Sequence, residues 1–145
     1  MATDTEVVDE AIAQHRALAG ALLPILHAIH DRLGFIPPAS HEKIAAALSL
    51  SRAEVHGVVT FYHDFRSAPP ERHVLKVCRA EACQSMGSEA LEARLAERAA
   101  KGLTVESVYC LGNCACAPAL VLDGRLHGRV TRERLDALID QMEPS

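Results

Sequence analysis

LTVESVYCLGNCACAPALVLDGRLHGRV, residues 103–130, carries the decision on the fold. Its first part alternates: Leu103, Val105 and Tyr109 mark a strand that ends at Cys110. Its second part, ALVL-DG-RLHGRV, has the pattern of a β-hairpin, because Asp123-Gly124 supplies the positive φ angles of a tight two-residue turn. Upstream, HVLKVC (73–78) reads as another strand ending at a cysteine. Between the two cysteine-tipped strands Ser88 can cap a helix through Ala100, with Leu91, Leu95 and Ala99 on one face and Gly102 as its stop. Thr131 caps a last helix carrying Leu135, Leu138, Ile139 and Met142. Strand, helix, strand implies a parallel pair with a right-handed crossover. The hairpin and final helix complete a small layer of four strands in a mixed sheet with flanking helices.

Residues 1–66 have a different texture and read as helical throughout. Thr3 with Glu6 has capping-box spacing, and Val7, Val8, Ile12, Leu18 and Leu22 follow as a loose apolar stripe. Pro24 suits the first turn of a second helix, whose stripe is Leu26, Ile29 and Leu33 and whose stop is Gly34. The prolines of FIPPAS make a loop, after which Ser40 can cap a third helix through Leu48. Ser51 with Glu54 opens a fourth helix that runs to about Tyr62. SAPPE (67–71) is then a linker between a helical domain (1–66) and an α/β domain (72–145). The fold class expected is α+β or α/β: a helical bundle followed by a sheet domain whose arrangement is that of thioredoxin-like folds.

Composition narrows the function. With 145 residues the chain has room for one ordinary domain, or a compact domain with a smaller helical attachment. It holds no Trp, three Phe and two Tyr, so the core is built from Leu, Val, Ile and Ala. A core so thin suggests that a partner or prosthetic group adds stability. The net charge of −4 gives no support for nucleic-acid binding. The opening MATDTEVVDE is acidic and lacks the layout of a signal peptide, and no apolar run approaches the roughly 18 residues of a membrane span. A reducing cytoplasm is the expected setting, without membrane insertion. There, five cysteines point to metal or redox chemistry rather than to structural disulfides.

Four of those cysteines fall in two groups, each directly after an expected strand: Cys78 and Cys83 as C-x4-C, Cys110 and Cys114 as C-x3-C. Strand ends on one edge of a parallel sheet lie close together, so the four thiols can converge. Four thiolates at one point hold either an iron–sulfur cluster or zinc. The four-residue gap is wide for a zinc knuckle, and a two-iron cluster is larger, each pair serving one iron. Such a cluster with its thiolates carries a charge of roughly −2 when oxidised, so it needs N–H donors around it. The small-residue loops Ala80–Ala82, Ser85–Gly87 and Gly112–Ala117 can supply them. A thioredoxin-type dithiol would want C-x-x-C at a helix start, which is missing here. Cys116 reads as a small buried hydrophobe near the centre.

HEKIAAALSLSRAEVHGVVTFY (41–62) has the look of a helix–turn–helix. In residues 39–66, however, Lys43, Arg52 and Arg66 are balanced by Glu42, Glu54 and Asp64, and a DNA-reading helix without a basic footprint is a poor one. A zinc-stabilised DNA-binding or interaction module is therefore the remote alternative. His27 and His30 are three apart on one helix, but no carboxylate or cysteine motif joins them, so a packing or solvated role is expected. No phosphate loop or catalytic triad order stands out, and the chain has no evident substrate site of its own.

VCRAEACQSMG (77–87) followed by YCLGNCACAPALVLDGRLHGRV (109–130) resembles the thioredoxin-like 2Fe–2S protein family. That family includes the small cluster-bearing subunit of complex I and the gamma subunits of soluble NAD-linked hydrogenases and formate dehydrogenases. The segment LPILHAIHDRLGFIPPASHEKIAAALSLSRAEVHGVVTFYHDF (23–65) resembles their shared helical lead-in. The resemblance implies one 2Fe–2S cluster, with Cys78 and Cys83 on one iron and Cys110 and Cys114 on the other. CRAEACQSMG and DGRLHGRV look most like the gamma subunit of NAD-dependent molybdenum formate dehydrogenase, with the complex I or hydrogenase subunit as the alternative. Implied with it are a diaphorase partner binding FMN and NAD and a larger iron–sulfur and molybdenum-cofactor subunit that oxidises formate to CO2. The chain itself would be a non-catalytic electron carrier.

Overall fold

A computed structural model describes residues 2–98 and 102–142, and the chain divides into two compact units, Met1–Pro70 and Glu71–Ser145. The first unit is helical. Helix α1 (Asp4–His15) opens with a reciprocal capping box: Glu6 N–H donates to Thr3 Oγ1 (3.3 Å) and Thr3 N–H to Glu6 Oε2 (2.6 Å). Its inner face is Val7, Val8, Ala11 and Ile12. The expected continuation of that stripe to Leu18 fails, because the helix ends at His15 and leaves Leu18 52 % exposed. Helix α2 (Leu22–Leu33) buries Ile25, Leu26 and Ile29 completely and stops at Gly34, whose φ of 78° lies in the left-handed region.

A 3₁₀ turn (Pro38–Ser40) leads into α3 (His41–Leu48). Ser40 therefore does not cap α3 as expected: its backbone is already helical, and its hydroxyl donates back to Pro37 O at 2.7 Å. Helix α4 (Arg52–Phe61) begins with the expected Ser51–Glu54 capping box. Ile25, Leu26, Ile29, Ile36, Ile44 and Val55 are fully buried, and Phe65 adds an aromatic ring to that core. Each such aliphatic side chain contributes about 1.5–3 kcal/mol by leaving water. His27 and His30 meet the ring of Phe65 edge-on, with centroids 5.1 and 5.8 Å away, which is a packing role.

The second unit is a four-stranded mixed sheet in the order β2-β1-β3-β4, with β1 (His73–Cys78), β2 (Leu103–Val108), β3 (Leu120–Leu122) and β4 (Arg125–His127). β1 and β2 are parallel, and β3 runs antiparallel to both β1 and β4. Asp123 (φ 48°) and Gly124 (φ 79°) form the tight hairpin turn that the sequence signals. Two helices differ from expectation. The five-residue α5 (Glu81–Ser85) has no counterpart in the sequence reading, and α6 spans Ser88–Glu97. Ser88 lies inside α6 rather than capping it. The cap position belongs to Gly87, and the buried Ser88 hydroxyl finds no hydrogen-bond partner among the described residues. Ala99 and Ala100, expected at the end of this helix, lie outside the described residues.

The last helix, α7 (Arg132–Asp140), is capped by Thr131 and buries Leu135 and Ile139. Strand β2 also departs from expectation. It stops at Val108, two residues before Cys110 turns to φ 91°; as an edge strand it leaves Val105 46 % exposed, and Tyr109, beyond its end, is 71 % exposed. Under the sheet, Leu75, Leu120 and Leu135 are fully buried. Among the described residues no helix is long and apolar enough to cross a membrane.

Candidate metal centre

The cysteines gather at one end of this sheet. Cys78 is the last residue of β1, and the sheet pins the backbone there from both sides. Its N–H donates to Ala119 O (3.1 Å), and the next N–H, of Arg79, donates to Val108 O (2.8 Å). Cys83 reaches the same place from α5, which is closed by Gln84 Nε2 donating to Arg79 O at 2.7 Å. Both cysteines are 2 % exposed, in an apolar nest with Ala117, Ala119, Ala80, Ala82, Val108 and Leu111. Small side chains let the backbone come close to sulfur, as the loop composition suggests.

Cys110 and Cys114 are exposed and stand on irregular backbone, with a 3₁₀ turn (Cys114–Cys116) after Asn113. Their sulfurs lie 3.7 Å apart, and the Gly112 N–H donates to Cys110 Sγ at 3.3 Å. Cys110 (φ 91°) and Gly112 (φ 72°) both take left-handed backbone, so the loop turns sharply around this amide–sulfur bond.

The two groups meet at Cys78. Burial pushes its thiol up, but N–H groups of Ala80, Cys110 and Leu111 and a bond with Cys83 outweigh that, and the net shift is downward. Burial also pushes the Cys83 thiol up, against the N–H of Ala119, and the Cys78 and Cys114 thiols add to the rise. Cys114 is raised by its bond with Cys110 first, then by charge on Cys110 and Cys78. Cys78 and Cys83 pack in the same apolar cluster as Val108 and Leu111, which stand on either side of Cys110.

This donor set suits bound thiolates: Cys110 and Cys114 form a sulfur pair with the Gly112 amide turned toward it, and neighbouring backbone amides hold the Cys78 thiol below its usual range. Among the described residues no three His, Cys, Asp or Glu side chains are drawn together as a site for one metal ion. Not every expected donor takes part. Met86 and Gly87 N–H groups close the turn after α5 by bonding Cys83 O and Gln84 O. The amides of Ala119 and Leu111 escape the sequence reading, since neither lies in the segments that small residues single out. Cys116 is half-buried, and its carbonyl accepts from Arg129 N–H at 2.6 Å.

A family model described as thioredoxin-like [2Fe-2S] ferredoxin matches residues 8–143 of this chain. The chain belongs to that family. Among curated members of similar sequence, one of the NADH-quinone oxidoreductase subunits of Rhizobium meliloti (strain 1021) is 31 % identical, covering 95 % of this chain and 88 % of that one. NADH-quinone oxidoreductase subunit 2 of Thermus thermophilus is 32 % identical over 82 % of this chain and 71 % of its own length. Among solved structures, an NAD+-reducing [NiFe]-hydrogenase in the air-oxidized state superposes with a TM-score of 0.66 at 28 % identity. That match covers 88 % of this chain, which spans only 23 % of the hydrogenase chain. This thioredoxin-like [2Fe-2S] ferredoxin chain thus joins its sheet domain to a preceding helical unit.

Proposed function

We propose that this chain is an electron-transfer subunit that holds one 2Fe–2S cluster on Cys78, Cys83, Cys110 and Cys114 within an NAD(H)-linked oxidoreductase. The observation that carries the reading is the meeting of the two cysteine groups: Cys78 and Cys83 pack in one nest with Val108, Leu111, Ala117 and Ala119, the residues that bracket Cys110 and Cys114, and Arg79 N–H ties the end of β1 to Val108 O at 2.8 Å. Cys78 and Cys83 would hold one iron and Cys110 and Cys114 the other, matching the pairs in which the sulfurs occur. A bound cluster supplies one-electron chemistry. The chain's own groups do the rest. The N–H groups of Ala80, Leu111, Gly112 and Ala119 compensate negative charge on sulfur, the alanine nest keeps water from the Cys78 and Cys83 side, and Cys110 and Cys114 lie at the surface. The family and the relatives support a carrier role for this chain rather than a catalytic one.

The parent assembly we favour is of the complex I or NAD-reducing hydrogenase kind, since relatives and the superposed structure bear those names. Its diaphorase subunit, binding FMN and NAD, is the partner we assign to the exposed cysteines, in the cytoplasm. The formate dehydrogenase version stands second. It rests on the wording of CRAEACQSMG and DGRLHGRV, and it would bring a molybdenum subunit as second partner.

Anaerobic purification tests the cluster: a brown chain with two irons and two labile sulfides and a reduced-state electron paramagnetic resonance signal is expected. Colourless protein with stoichiometric zinc would refute it. Capture of the native complex tests the assembly. Nickel marks a hydrogenase, membrane subunits mark complex I, and molybdenum marks a formate dehydrogenase.

A further inference from the structure

Gly128 follows β4 at the point where the chain returns to the cysteine loop. A Cβ built on it would lie 2.7 Å from Asn113 Nδ2, 2.8 Å from Cys116 Cβ and 2.9 Å from Cys116 O. The Asn113 amide can swing aside. The Cys116 carbonyl and Cβ cannot, because the carbonyl is held by Arg129 N–H at 2.6 Å and the loop beyond it by Val130 N–H on Pro118 O at 3.0 Å. Gly128 does not need left-handed backbone: its φ lies outside that region, unlike that of Gly124 (φ 79°), which has nothing within 4 Å of its own Cβ position. The glycine at 128 is therefore there for space alone.

We propose that Gly128 is a positioning residue for the second cysteine loop: its bare backbone lets residues 128–130 clamp Asn113–Cys116 and so sets where Cys114 presents its thiol. This rests on the proposal that Cys114 is a cluster ligand, and the test separates the two. In the full chain, Gly128→Ala pushes on the loop, whereas Gly124→Ala strains the hairpin turn without touching it. Both variants lose some thermal stability. Only Gly128→Ala shifts the reduced-state resonance and the reduction potential, and it releases iron to a chelator about tenfold faster, the scale of overpacking in a tight contact. In the metal-free chain the same variant speeds amide hydrogen exchange at Arg129 and Val130. Cys116→Gly added to Gly128→Ala relieves the 2.8 Å contact and restores part of each effect, including folding should the single variant fold poorly. Equal spectra, iron release and exchange in Gly128→Ala and the parent would overturn the proposal, as would a double variant no better than the single. A parent-like spectrum in Cys114→Ser overturns instead the ligand assignment on which it rests.

Discussion

Cys78 and Cys83 sit on regular structure and are nearly inaccessible, whereas Cys110 and Cys114 sit on a loop and are exposed. The first pair is placed by the sheet: backbone bonds to Ala119 and Val108 fix the end of β1, and apolar burial holds α5 over it. The second pair has no ladder to place it. Its geometry comes from particular backbone angles at Cys110 and Gly112 and from the clamp at residues 128–130. The difference teaches that, on the proposed ligand assignment, one centre would combine a rigid, dry half with an open half. The dry half keeps the Cys78 and Cys83 sulfurs from water, and the open half would leave a partner a short approach. Met86 and Tyr109, close in sequence to Cys83 and Cys110, are 62 % and 71 % exposed.

Ligand replacement makes the largest difference between the halves. Cys78→Ser is expected to remove nearly all bound iron, since a serine oxygen in the alanine nest is a poor iron ligand with no water to support it. Cys110→Ser is expected to keep a cluster with a shifted resonance, because its oxygen ligand stands in solvent. Iron analysis and resonance spectra on anaerobic protein decide this, and equal losses would break the comparison. Removing core beneath the dry half comes next. Leu120 is fully buried and pairs with Val77 beside Cys78. Leu120→Ala should cost about 2–5 kcal/mol in urea unfolding, through lost transfer energy and a cavity.

The asymmetry also explains what the sequence reveals. Strand β1, the hairpin and both capping boxes are legible because each depends on neighbours in sequence: period-two alternation, an Asp-Gly pair, a hydroxyl three residues before a glutamate. The four ligand candidates are legible by spacing for the same reason. Helix α5 is not, since five residues are too few to show a period. Val105 misleads because apolar alternation does not reveal that β2 is an edge strand, and Ser40 and Ser88 mislead because a capping residue type does not reveal the backbone entering the helix. The role of Gly128 is set by residues twelve or more positions away, where local patterns carry no information.

The far end of β1 offers a smaller test. Asp123 accepts from His73 Nδ1 at 2.7 Å and from Val74 N–H at 2.9 Å. Burial pushes its carboxyl up, but His73 and the Val74 amide outweigh that and hold it below the usual carboxylate range. A carboxylate whose folded value is depressed stabilises the fold above its unfolded value near 3.9, and that contribution disappears as pH falls through the depressed value. Because the side chain is 43 % exposed, Asp123→Asn should cost only about 0.5 kcal/mol at neutral pH. It should also flatten the acid limb of stability below about pH 4, without altering the iron content. An altered cluster signal here would mean that the two ends of the strand are coupled, and would weaken the view that Cys78 is fixed locally.

Cys116→Ser is the smallest change and the sharpest on ligand choice. Cys114 and Cys116 are two residues apart on the same turn, so sequence spacing alone gives each a claim to the second iron. The geometry separates them. Cys114 shares a 3.7 Å sulfur contact with Cys110, and its charge is felt at Cys83. Cys116 instead directs its Cβ toward the backbone of Gly128 and its carbonyl to Arg129. A serine is nearly isosteric in that place and is half-buried at most. Unfolding free energy should change by no more than about 0.5 kcal/mol, the usual scale for such sites. Absorption and resonance spectra should stay those of the parent. A bleached or shifted spectrum in Cys116→Ser, together with an unchanged one in Cys114→Ser, would move the open half of the centre by two residues and with it the route by which a partner reaches the cluster.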